Sequence, residues 1–189
     1  FLTNRCNARC SFCFIDFDNP DTFKGELTIT EIEKLTKNLG NSLINVNFTG
    51  GEPFARKDIT DIAKLYIKNS TIQSIYITTN ASLPERIVNF AKEINEYDKN
   101  VELCFQISID DLPKKHNKVR KIDNLFESCL YTYRELKKLN KKNINPVVSI
   151  TVTHENCENI EEIFHYFIDT CKIDSLKCCL VRDEGVYSR

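Results

Sequence analysis

The stretch Ile44-Asn45-Val46-Asn47-Phe48-Thr49-Gly50-Gly51-Glu52-Pro53 decides how this chain is read. Its first six residues are rich in β-branched and apolar types, as a buried strand requires, and it stops abruptly at paired glycines and a proline. Residues 58–69 then carry apolar side chains at spacings of three and four, the period of an amphipathic helix. A second β-branched run follows at 74–79. Strand, helix and strand in that order form a βαβ unit, which places the two strands parallel.

Working outward, the same alternation fills the chain. Strands are expected at 1–3, 44–49, 74–79, 101–109, 145–153 and 175–181, and helices at 30–39, 58–69, 84–96, 123–139 and 160–170. Thr30 followed by Glu33 reads as a capping box that starts the first helix. The expected class is α/β with a parallel sheet. Periodicity leaves a doubly wound sheet and an incomplete barrel both open. In either case the chemistry gathers at the carboxyl ends of the strands.

Composition narrows the function classes. The 189 residues carry 26 Lys+Arg against 27 Asp+Glu, so no global field points to nucleic acid or an anionic membrane. A hydrophobic share of 41% with 28% charged residues excludes a disordered chain, and no apolar run approaches a membrane span. There is no Met, and the chain opens on Phe1 within a strand-like run. One core domain over 1–189, truncated at both ends, is expected. No export signal is visible at the start. Nine cysteines with only five Gly and five Pro do not suit a small disulfide framework. Reduced thiols in the cytoplasm are expected.

Cys6-Asn7-Ala8-Arg9-Cys10-Ser11-Phe12-Cys13 follows the first expected strand. Three thiolates within eight residues can serve one soft metal centre: zinc, Cu(I) or an iron–sulfur cluster. A structural zinc site takes four ligands, and no fourth lies nearby in sequence. Three thiolates on a four-iron cluster would leave one iron open to an outside ligand. A zinc-stabilised binding module and coincidental buried thiols remain alternatives. Gly50-Gly51-Glu52-Pro53 can present carbonyls and a carboxylate to a cation, or be an ordinary turn.

Together, in this order and at the ends of the first two strands, these motifs resemble the radical S-adenosylmethionine (radical SAM) superfamily. Phe12, Thr79-Asn80 and Ser108-Ile109-Asp110 extend the resemblance. Residues 108–120, including His116, look like the branch with SPASM or twitch-like auxiliary-cluster extensions, which contains peptide maturases and cofactor-biosynthesis enzymes. The resemblance implies a partial (β/α)6 barrel with a 4Fe–4S cluster on Cys6, Cys10 and Cys13. It implies S-adenosylmethionine as cofactor, with Gly50, Gly51 and Glu52 at its amino group and Ser108 and Asp110 near its ribose and carboxylate. Phe12 would lie beside the adenine, with Leu180 and Val181 on its other side. Reductive cleavage would give a 5′-deoxyadenosyl radical that takes hydrogen from a peptide or small cofactor precursor. A flavodoxin or ferredoxin would donate the electron.

The remaining thiols, Cys104, Cys129, Cys157, Cys171, Cys178 and Cys179, match no ligand spacing and are expected to pack in the interior. Cys178 and Cys179, adjacent on a strand, should face opposite ways. His165 reads as structural. His116, Arg120, His154 and Asn156 are placed in loops at or beyond strand ends, where ligand contact and mere solvation both stay open, and Lys137, Lys138, Lys141 and Lys142 read as a solvated helix end, with a docking role as the alternative.

Overall fold

The computed structural model describes residues 1–181. Five strands, β1 (Asn45–Phe48), β2 (Ser74–Thr79), β3 (Glu102–Ser108), β4 (Ile144–Val152) and β5 (Leu176–Leu180), form one sheet in the order β1-β2-β3-β4-β5. Every neighbouring pair is parallel. A doubly wound sheet reverses its order at a switch point, whereas this one runs on without reversal. The sheet is therefore an open, singly wound partial barrel.

The helices α1 (Ile29–Leu39), α2 (Ile59–Asn69), α3 (Pro84–Tyr97), α4 (Pro113–Arg120), α5 (Leu125–Lys138) and α6 (Ile160–His165) connect the strands, and a π-helical turn, Tyr166–Thr170, prolongs α6. They cover one face of the sheet. Ile75, Ile77, Leu103, Phe105, Ile107, Val148 and Ile150 are buried there together with helix residues such as Phe90, Ile94 and Phe126. Residues in between, Tyr76, Thr78, Cys104, Gln106 and Ser108, are only partly buried, so the opposite, concave face is more open. No helix among the described residues is long and apolar enough to cross a membrane.

Three expectations need correction. Residues 1–3 form no strand: Thr3 makes a single parallel bridge to Gly50. The first helix is capped by Thr28 with Glu31, in a reciprocal box, rather than by Thr30 with Glu33. The loop expected around His116 and Arg120 is helix α4, in which both side chains are buried.

Candidate functional site

The amino-terminal segment and the glycine pair hold each other in place. Leu2 N–H donates to Thr49 O (2.8 Å), Gly51 N–H to Thr3 O (2.8 Å) and Glu52 N–H to Arg5 O (2.8 Å). A Cβ on Gly50 would stand 2.0 Å from Thr3 O, and one on Gly51 2.3 Å from Arg5 O. Gly50 also has φ +145°, a conformation L side chains rarely adopt. Glycine is thus needed at both positions for backbone to meet backbone. This contact delivers Cys6 to the carboxyl end of β1.

The cysteine loop is braced from several sides. Cys13 N–H donates to Cys10 O (3.1 Å), and Arg9 N–H donates to Arg120 O at the end of α4 (3.1 Å). Arg9 Nη1 donates to Cys6 O (2.8 Å), with its guanidinium 4.0 Å over the Phe17 ring. Cys6, Cys10 and Cys13 are free and partly buried. Burial pushes the Cys10 thiol up to about 11, with the Arg120 charge acting against it, and burial likewise raises Cys6. Among the described residues no group of three or more His, Cys, Asp or Glu side chains is placed to hold a metal ion. Three thiolates on one short loop are a donor set that an iron–sulfur cluster takes.

Glu52 lies 1% exposed. Its Oε1 accepts from Phe54 N–H (3.1 Å) and Thr79 Oγ1 (2.8 Å), and its Oε2 accepts from Asn80 N–H (2.7 Å). Burial raises its pKa, and these three donors pull it back. The carboxylate thus ties the loop after β1 to the end of β2. Asn80 carries the connection further. Its Nδ2 donates to Asn7 Oδ1 (2.9 Å) and lies 3.8 Å from Cys6 Sγ, while its carbonyl accepts from Cys129 Sγ (3.2 Å).

Past the end of β3, Asp110 meets α4. Its Oδ2 accepts from Arg120 Nε (2.7 Å) and its Oδ1 from Thr151 N–H (3.1 Å). Burial works against the Asp110 charge, but the charge and hydrogen bond of Arg120, joined by the Thr151 N–H, together hold the carboxyl below its usual range. Asp110 N–H donates to His116 Nδ1 (3.2 Å), which leaves the imidazole proton on Nε2, 3.9 Å from Cys129 Sγ. Burial and the Arg120 charge depress His116 to about 3, so this ring is neutral. A continuous polar chain therefore runs from Glu52 through Asn80, Cys129, His116 and Asp110 to Arg120. Ser108 closes β3 beside it, with its carbonyl 3.9 Å from Cys129 Sγ.

Arg120 itself is 7% exposed. Among the described residues no fully buried side-chain nitrogen or oxygen lacks a hydrogen-bond partner. The guanidinium carbon lies 5.9 Å from the Phe12 ring centroid. Next to it, Phe12, Leu180 and Val181 line one cavity of 320 Å³ with Phe1, Phe14, Thr49 and Thr151.

The structure brings the expected residues to one mouth but changes what several of them do. Asp110 spends both oxygens inside the protein, and the cation beside it is the buried Arg120. Cys129 and Cys171 are buried as expected, Cys104 is partly buried, and Cys157, Cys178 and Cys179 are exposed instead of packed. In β5, Cys178 pairs with Ile150 and Cys179 with Thr151, so their side chains do alternate. His165 is solvent-exposed and sits 3.2 Å from Asp169. Asn156 is buried, donating to Asp110 O and Thr151 O (2.9 Å each).

An open α/β barrel with a three-cysteine loop at the carboxyl end of its first strand defines a cluster-binding class of protein. The chain belongs to the radical SAM superfamily, whose family model matches residues 1–167. The superfamily's cofactors are a 4Fe–4S cluster and S-adenosylmethionine. Among solved structures the chain is similar to native anSMEcpe with bound AdoMet and a Kp18Cys peptide, at TM-score 0.76 and 20% identity, over 96% of this chain and 49% of that one. It is also similar to methylornithine synthase, at TM-score 0.68 and 15% identity, over 96% of this chain and 52% of that one. The chain thus spans about half the length of these structures.

Proposed function

We propose that the chain is the catalytic core of a radical SAM enzyme that acts on a peptide or a small cofactor precursor. What supports this most is the mouth itself: the cysteine loop brings Phe12, and the end of β1 brings Thr49, to one cavity that Leu180 and Val181 also line, with the Arg120 guanidinium 5.9 Å from the Phe12 ring. When bound, the cluster and S-adenosylmethionine supply a 5′-deoxyadenosyl radical. Cys6, Cys10 and Cys13 would hold the cluster. The Gly50–Glu52 loop would receive the cofactor's amino group, for which the nearby Glu52 charge is complementary. Arg120, held by Asp110, would receive its carboxylate in a paired, charge-assisted contact. Ser108, at the end of β3, would meet the ribose, and the apolar cavity wall would suit an adenine ring. The peptide in the anSMEcpe structure favours a peptide substrate over a free small molecule.

The test is anaerobic reconstitution followed by iron analysis and assay of 5′-deoxyadenosine with dithionite. Bound iron and 5′-deoxyadenosine are expected from the unsubstituted chain. Cys6→Ala, Cys10→Ala and Cys13→Ala should each lose both, while Cys129→Ala should keep its iron. Full iron in the Cys10 variant, or a colourless zinc-loaded wild type, would overturn the proposal.

A further inference from the structure

Helix α4 does more than carry Arg120 inward. Its outer side exposes Lys114, Lys115 and Lys118, and the residue that ends it, Lys121 at φ +55°, is exposed as well. None of the four forms an ion pair among the described residues. Lys115, Lys118 and Lys121 stand at intervals of three, on one side of the helix. They line a hollow of 430 Å³ together with Val119, Asp111, Glu155 and Ser11. Asp111 is buried, so Glu155 is the one exposed acid in that lining. A net charge of −1 over the whole chain makes four unpaired ammonium groups on one short helix a marked local excess.

The position of the hollow gives this excess its meaning. Ser11 is flanked by Cys10 and Cys13, and Arg9 N–H donates to Arg120 O (3.1 Å). The lysine side is thus fastened directly to the cysteine loop. We propose that this side of α4 is the docking surface for an acidic protein that delivers one electron to the cluster. The inference rests on the function proposed above. In the step, one electron leaves the donor's reduced cofactor, which is oxidised by one unit, and enters the cluster, which is reduced by one unit. No bond forms or breaks, and no proton must cross. Lysines on a rim act mainly on encounter, raising the association rate of an oppositely charged partner in a salt-dependent way. Exposed Asp16 and Asp18, in the loop after Cys13, carry the opposite sign and would set the donor's orientation by repulsion.

The experiment compares a triple variant, Lys115→Glu with Lys118→Glu and Lys121→Glu, with a control, Lys141→Glu with Lys142→Glu. Lys141 and Lys142 are exposed and precede β4, at the end of the sheet away from the cysteine loop. Cluster reduction is followed by bleaching, with a reduced acidic flavodoxin or with dithionite as donor. The triple variant should be reduced at least about tenfold more slowly by flavodoxin at low salt, and the difference should shrink as ionic strength approaches about 0.5 M. Its reduction by dithionite and its 5′-deoxyadenosine yield with dithionite should match the wild type. Equal flavodoxin rates in wild type and triple variant would overturn the docking surface, as would an equal slowing in the control. Absence of 5′-deoxyadenosine from the wild type with dithionite would instead overturn the function proposed above.

Discussion

Replacing Glu52 by Gln tests whether the carboxylate ties the loop after β1 to the end of β2. Three donors converge on it: Phe54 N–H and Thr79 Oγ1 on one oxygen, Asn80 N–H on the other. A glutamine offers one oxygen. If that oxygen takes the Phe54 and Thr79 side, its NH2 faces Asn80 N–H; if flipped, the NH2 faces Phe54 N–H. Either way a buried backbone donor is left unpaired, at about 1–3 kcal/mol. Relief of a buried charge offsets part of this, and a net loss of about 2 kcal/mol is expected. For a chain of this size that lowers Tm by roughly 4–8 °C. Thr79→Val removes the same hydroxyl from the other side, and with it the acceptor of Ala81 N–H (3.0 Å), for about 1–2 kcal/mol. Because the two changes share one bond, the double variant should lose about 1 kcal/mol less than the sum. The assay is urea unfolding of the metal-free chain at about pH 8. Strict additivity, or an unchanged midpoint in Glu52→Gln, would refute the reasoning and leave the carboxylate free for a ligand.

Two further outcomes follow from the geometry. His116, depressed from 6.5 to about 3, takes up a proton in the unfolded chain before it does in the folded one. Its contribution to stability is whole above pH 6.5 and is lost as pH falls toward 3, at about 1.4 kcal/mol per pH unit. His116→Gln should therefore reduce the loss between about pH 6.5 and 5 by about 2 kcal/mol, and an identical pH slope in the variant would sink the assignment of a buried neutral ring. Gly51→Ala would place a methyl group 2.3 Å from Arg5 O and 2.9 Å from Asn4 O, both backbone atoms. The amino-terminal segment should be displaced, with fast hydrogen exchange at the amides of residues 51 and 52 and loss of most reconstituted iron; protection as in the wild type would contradict that packing.

Much of the sheet was legible because its strands are short β-branched runs with sharp ends. The expected 74–79 coincides with β2, and the other four named strands differ from expectation by a residue or so. Residues 1–3 misled because an apolar opening followed by polar residues looks like a strand, while their hydrogen bonds go to the glycine loop. The capping box slipped by two residues because Thr28-Glu31 and Thr30-Glu33 both satisfy the pattern. Leu27 and Ile32 at the hydrophobic-staple positions of Thr28 were the signal that separates them. Helix α4 escaped because Pro113–Arg120 has almost no apolar periodicity: its buried side chains are His116 and Arg120, held by hydrogen bonds and an ion pair that hydropathy does not see. Pro113 in the first turn was the one clue to its start. The cysteine triplet and the glycine pair stood out because their chemistry depends on local spacing. Arg120 did not, since its pairing with Asp110 depends on how the chain turns between them.

The polar chain from Glu52 to Arg120 has a consequence for how this mouth can change over generations. Asn80, Asp110 and His116 each bond to two or more other members or neighbours of the chain, so an isolated substitution strands a buried partner. Drift at one of these positions leaves its neighbours mismatched until they follow. Positions 52, 79, 80, 110, 116, 120 and 129 should accordingly be inherited as a block, while the lysines on the outer side of α4 are free to vary with the partner they meet.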